Sequence, residues 1–141
     1  MKIDQSRIRK YLLEISLNSE ELKQLIEKNQ IKPGSIELKA VKYTLIELAE
    51  AISNVLQHLL AKIKGIPVYG YIDTITKSEK QGIISKTLFQ KLKPFFDFRN
   101  SLIHRYWIMK DDLIIKNVKD GKNDFDLFVN EIETYLKHIP K

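Results

Sequence analysis

Between Ile36 and Lys64 the apolar residues recur at spacings of three and four. Leu38, Val41, Leu45, Leu48, Ala49, Ile52, Val55, Leu56, Leu59, Leu60 and Ile63 make one wide apolar face over about eight helical turns. A face this broad needs partners on more than one side, so the stretch predicts a central helix in an all-α fold. Ala40, Ala49, Ala51 and Ala61 permit close helix approach, Ser35 is placed to cap the start, and Gly65 with Pro67 ends the run.

The flanking segments read as the partners. Ile8, Tyr11, Leu12 and Ile15, then Leu22, Leu25 and Ile26, predict a helix over about Asp4 to Lys28, with a possible interruption at Asn18-Ser19. Pro33-Gly34 breaks the chain before Ser35. Val68 to Gly82 is the least helical region; an ordered loop is expected, with at most a short helix across Ile72 to Glu79. Ser85 is placed to cap a helix carrying Leu88, Phe89 and Leu92. Pro94 either kinks that helix or opens a new one running to about Met109. Asp111 to Val118 suits a helical turn or two. Asp120 to Asn123 is a turn, and Asn123 or Asp124 can cap a last helix with Phe125, Phe128, Val129, Ile132, Tyr135, Leu136 and Ile139 inward. The expected architecture is an antiparallel bundle of four or five helices, one domain over residues 1–141.

The chain has no Cys, which excludes disulfides and thiolate chemistry. The polar start, Met1 to Lys10, predicts no signal peptide, and no apolar run approaches the ~20 residues of a membrane span, so a cytoplasmic protein is expected. The net charge of +6 suits polyanions, but a lysine-rich solvated surface has the same charge. Glycine-rich phosphate loops, H-E-x-x-H and G-x-S-x-G are absent. His58, His104 and His138 lack ligand spacing. Glu47 and Glu50 share a helix without a Glu-x-x-His partner, so neither a metal nor another cofactor is expected. His58 reads as structural and His138 as a helix-end residue.

What remains is Phe95-Phe96-Asp97-Phe98-Arg99-Asn100-Ser101-Leu102-Ile103-His104-Arg105-Tyr106-Trp107. On a helix, Asn100 and His104 lie nearly in line. Arg99 and Tyr106 share an adjacent line, with Phe96, Ile103 and Trp107 between them, on a face roughly 160° wide. Histidine exchanges protons near neutrality. Arginine is a permanently charged fork for phosphate oxygens and for the extra charge of a phosphoryl transition state. Such a pair can cleave RNA without metal: a base takes the ribose 2′-hydroxyl proton, that oxygen attacks the adjacent phosphorus, and the arginine stabilises the phosphorane. Asn100 could orient His104 or meet the phosphate. A two-fold partner would supply a second pair and bury the aromatics. The structural alternative has Arg99 paired with a buried acid and His104 as a core imidazole; Tyr106 and Trp107 alone read as packing residues.

The string Phe98 to Trp107 resembles the R-x-x-x-x-H-x-Y signature of HepT-type HEPN toxins, which pair with MNT nucleotidyltransferase antitoxins. The likeness runs from about Leu38 to Leu113 and takes in the Ala40-Val41 to His58 helix, the Gly65-Ile66-Pro67 exit, the Tyr71 loop and Gly82-Ile83-Ile84. Asp111-Asp112 stands slightly later than the acidic position of that family. The resemblance implies a HEPN helical bundle that dimerises through the motif helix so that two motifs line one cleft. It implies a metal-independent endoribonuclease with Arg99 and His104 catalytic and a toxin's role. It also implies an MNT-type antitoxin that silences the toxin by transferring AMP to Tyr106, a modified tyrosine bringing negative charge to the phosphate site. The other readings are a non-catalytic nucleotide- or RNA-binding bundle that is partner subunit and substrate of a nucleotidyltransferase, and a dimeric scaffold.

Overall fold

A computed structural model of the chain describes residues 3–103 and 111–139. Among these, six helices run in order: α1 (Gln5–Glu27), α2 (Ile36–Leu59), α3 (Tyr71–Lys80), α4 (Lys86–Ile103), α5 (Asp111–Asp120) and α6 (Asp124–Lys137). Helix α2 lies at the centre, against α1, α3 and α4, and α6 closes on α1 and α4. The fold is all-α, as the spacing predicts. No helix among the described residues is long and apolar enough to cross a membrane.

Helix α1 begins at Asp4, whose carboxylate accepts the Arg7 N–H (3.0 Å). Its buried stripe is Ile8, Leu12, Ile15, Ser19 and Leu22. The possible break at Asn18-Ser19 does not occur. Ser19 takes a core position because its hydroxyl donates to Asp126 of α6 (3.3 Å), and Lys23 pairs with the same carboxylate.

Helix α2 starts as expected, with Ser35 Oγ accepting the Leu38 N–H (3.0 Å). Its last turn widens to a π-turn over Leu60–Lys64 before Gly65 closes it in the left-handed region (φ 63°). There Ile66 N–H reaches back to the Leu60 carbonyl (3.1 Å). His58, near this end, accepts the Asp4 N–H at Nε2 (3.0 Å), tying the start of α1 to the end of α2. The structural role expected of His58 is therefore that of an acceptor, which requires the neutral ring. Burial, then Arg7 and Lys62, holds its pKa below the usual histidine value, with Asp4 opposing.

One segment differs from expectation, and at Pro94 the one-helix alternative holds. The 71–80 region is a full helix of ten residues where a loop or a shorter helix was expected. Its serine and threonines disfavour helix when exposed. Here Thr74, Thr76 and Ser78 each return a hydroxyl bond of 2.7 Å to the carbonyl four residues back, while Ile75 enters the core. In α4, Pro94 lies inside one continuous helix. The proline and Gln90, whose carbonyl loses its usual helical partner, are both exposed, so that carbonyl is open to solvent. Ser85 caps α4 through the Leu88 N–H (3.0 Å), and Glu131 of α6 accepts from both Ser85 N–H and Oγ (2.7 Å each).

Candidate nucleic-acid site on the fourth helix

The site grows out of the aromatic layer beneath α4. Phe96 is fully buried. Its ring stacks with Tyr71, the first residue of α3, with centroids 5.6 Å apart and planes at 24°. Phe95 packs against Phe96 (5.3 Å) and edge-on against Phe125 of α6 (5.1 Å). The three helices that meet here thus fix the rotation of α4 about its axis. Phe96 forms the floor beneath the motif helix rather than part of an open face.

Arg99 stands one turn beyond Phe96. Its guanidinium carbon lies 4.1 Å from the centroid of the Tyr71 ring, and Nη2 donates to the Tyr71 hydroxyl (3.0 Å). Glu50 of α2 approaches the same nitrogen at 3.8 Å, too far for a hydrogen bond but close enough for charge attraction. The Arg99 side chain is 12% exposed and that of Glu50 is 53% exposed. The acid beside Arg99 is thus on the surface, not a buried counter-ion. Ring stacking on Tyr71 and the bond to its hydroxyl help to hold the guanidinium at an edge shared by α2, α3 and α4. A planar cation oriented in this way is suited to a phosphate.

The expected site residues divide accordingly. Arg99 and Asn100 stand on α4, whose described span ends at Ile103; His104 and Tyr106 lie outside the described residues. Tyr71 and Glu50 were not among the residues singled out as Arg99's neighbours. Tyr71 stands out in the sequence as part of the family likeness but not as a partner of Arg99, since its bond to Arg99 spans 28 positions of sequence. On the other side of residues 104–110, Asp111 accepts the Gly34 N–H (2.9 Å) and pairs with Lys42 of α2 (3.1 Å). The Gly34 bond first, and Lys42 second, hold its carboxyl below the usual aspartate range. Described residues on both sides of 104–110, Arg99 and Asp111, are therefore bonded to other helices or loops of the bundle.

A cavity of about 240 Å³ lies between α4, α5 and α6, bounded by Leu92, Pro94, Phe95, Ile114 and Phe125. Asp124 borders it, and burial pushes its carboxyl up, with Lys91 at 3.5 Å partly opposing. Among the described residues, no three His, Asp or Glu side chains stand together as a metal-binding cluster.

Comparison with known proteins bears on this arrangement. Residues 6–132 match the family described as Ribonuclease HepT-like. A tRNA nuclease HepT of Aphanizomenon flos-aquae is 23% identical over 104 residues, 73% of this chain and 71% of that protein. An Archaeoglobus fulgidus protein, provisionally named an RNase, is 27% identical over 133 residues, 94% of this chain and 98% of its own length. In three dimensions the bundle is similar to YutE of Bacillus subtilis, a cytosolic protein of unknown function. The TM-score is 0.80 at 16% identity, covering 96% of this chain and 92% of the other, a likeness of fold alone. With nearly its whole length matched and the motif helix built on an oriented arginine, the chain belongs to the HepT-like ribonuclease family.

Proposed function

We propose that this protein is a metal-independent endoribonuclease, the toxin of a HEPN/MNT toxin–antitoxin pair, with Arg99 and His104 as its catalytic residues. The observation that carries the reading is the setting of Arg99. Within a ribonuclease family, an arginine is stacked on Tyr71, hydrogen-bonded to its hydroxyl, and placed five residues before His104 on the motif. The positive net charge of +6 is consistent with a polyanionic substrate.

In the proposed reaction, neutral His104 takes the proton from a ribose 2′-hydroxyl. The freed oxygen attacks the adjacent phosphorus and the bond to the 5′-oxygen breaks, leaving a 2′,3′-cyclic phosphate. Arg99 balances the charge of the phosphorane, and Asn100 orients His104 or the phosphate. The leaving 5′-oxygen needs a proton. A second protomer, paired through α4, brings a second His104, in its protonated form, to supply it. Tyr106 is the acceptor of AMP from an MNT-type nucleotidyltransferase antitoxin; the added charge and bulk would exclude RNA from Arg99. The pair would act in the cytoplasm, where its RNA and ATP are found.

The test is RNA cleavage by the purified protein in the presence of chelator, with analysis of the product ends. Wild type should cut and leave cyclic phosphates. Arg99→Ala and His104→Ala should each slow cleavage by about 10²- to 10⁴-fold. Unchanged cleavage by both variants would overturn the site. Labelled ATP with the antitoxin should mark wild type but not Tyr106→Phe. Marking of Tyr106 in a protein that never cuts RNA would make the chain a non-catalytic substrate of its partner.

A further inference from the structure

We infer that Tyr69 is a stacking platform for an RNA base next to the phosphate held by Arg99, a subsite that rests on the ribonuclease reading above. Tyr69 is 81% exposed, more than any other large apolar side chain among the described residues. Its backbone is nonetheless fixed. The Tyr69 N–H donates to Asp73 Oδ2 (2.8 Å), the neighbouring Val68 packs on the core, and Gly70 precedes α3 at φ 90°. The ring is thus presented to solvent from an anchored loop.

A cation stands beside it. Lys77 Nζ lies 5.5 Å from the Tyr69 ring centroid, held there by the Pro67 carbonyl (3.0 Å) and by Asp73 (3.0 Å). Asp73, in the first turn of α3, has its charge engaged by the Tyr69 N–H and by Lys77. Lys62 and Lys64 precede the loop in the π-turn, and Lys80 ends α3. An exposed aromatic ring beside a lysine, with further lysines before and after it in the chain, fits a single-stranded nucleic acid: the ring stacks on a base while cations meet the backbone.

Position ties the platform to the site. Tyr71, which carries Arg99, is two residues from Tyr69, so their Cα atoms are at most about 7 Å apart. One aromatic of the Tyr-Gly-Tyr turn orients the phosphate-binding arginine. The other is open to the base of an adjoining nucleotide. Stacking tolerates any base but requires that it be unpaired, so the protein should prefer single-stranded segments or loops to duplex.

The experiment uses a single-stranded 2′-O-methyl oligoribonucleotide with 2-aminopurine at successive positions. It cannot be cleaved through a 2′-hydroxyl, and its fluorescence falls when the probe base stacks. Wild type and Tyr69→Phe should bind it alike and quench one position. Tyr69→Ala should lose that quench and bind on the order of ten-fold more weakly. With cleavable RNA, Tyr69→Ala should raise KM by a similar factor with kcat little changed. Tyr69 is exposed, so its substitution leaves the core packing intact, and circular dichroism of the variant checks this. Equal affinity and quenching by Tyr69→Ala would overturn the platform, including the case in which that variant loses a protein partner instead. A Tyr69-dependent quench in a protein that never cleaves RNA would uphold the platform and remove the ribonuclease reading. No RNA binding by wild type would overturn both.

Discussion

Replacing Tyr71 by Phe removes one oxygen and leaves the ring. Its stack on Phe96 at 5.6 Å and the guanidinium at 4.1 Å should both persist. What disappears is the acceptor for Arg99 Nη2 at 3.0 Å. A hydrogen bond to a charged group contributes about 1.5–3 kcal/mol. Because the arginine side chain is 12% exposed, water can replace part of the bond, so a loss near 1.5 kcal/mol is expected. Tyr71→Leu also removes the ring contacts, for a total of about 3 kcal/mol. Urea denaturation measures these costs, and a double-mutant cycle with Arg99→Ala assigns them: Tyr71→Phe should cost little once Arg99 is gone. In single-turnover RNA cleavage, Tyr71→Phe should be slower by about ten-fold, because a misplaced arginine stabilises the transition state less well. An equal cost of Tyr71→Phe with and without Arg99, together with wild-type cleavage, would refute the claim that this hydroxyl positions the guanidinium.

Other expectations follow from the packing and the titrating groups. Phe96→Ala empties a fully buried position at the junction of α3, α4 and α6. It should lower unfolding stability by about 3–5 kcal/mol in urea titration; a loss below 1 kcal/mol would mean that α4 is not seated there. His58 should make the protein acid-sensitive. Its folded pKa is below the ordinary 6.5, so as pH falls past 6.5 the unfolded chain binds a proton that the folded state resists, and stability declines. Urea midpoints at pH 7.5 and 5.5 should differ for wild type more than for His58→Gln; equal differences would count against this. Asp124 has the opposite sign. Its carboxyl is raised above 3.8 by burial, so its contribution is favourable in acid and is lost as pH rises through the raised value. Asp124→Asn should therefore leave the urea midpoint at pH 7 unchanged or higher, and a lower midpoint would show that the pair with Lys91 dominates.

Much of this protein is legible in local order. The three-and-four spacing of α2 establishes a buried central helix because burial of one face is decided by the residues of that face. Ser35 and Ser85 are readable as caps because a cap reaches only three residues along its own chain. The candidate site residues are visible for a similar reason: Arg99, Asn100, His104 and Tyr106 lie within eight positions of one another, so a single helical projection relates them.

Where several helices must meet, local order is insufficient. Ser19 reads as an interruption until Asp126 of α6 satisfies its hydroxyl. The Thr-Ile-Thr-Lys-Ser run reads as loop until its hydroxyls bond back to the helix and Ile75 is buried. Pro94 leaves two outcomes open, and the exposed setting of Gln90 permits the continuous helix. The orientation of Arg99 belongs to the same class. Sequence alone names the arginine and the motif around it. Only the tertiary structure brings Tyr71 of α3 and Glu50 of α2 to its guanidinium, because those contacts join positions far apart in the chain that chain folding alone makes adjacent.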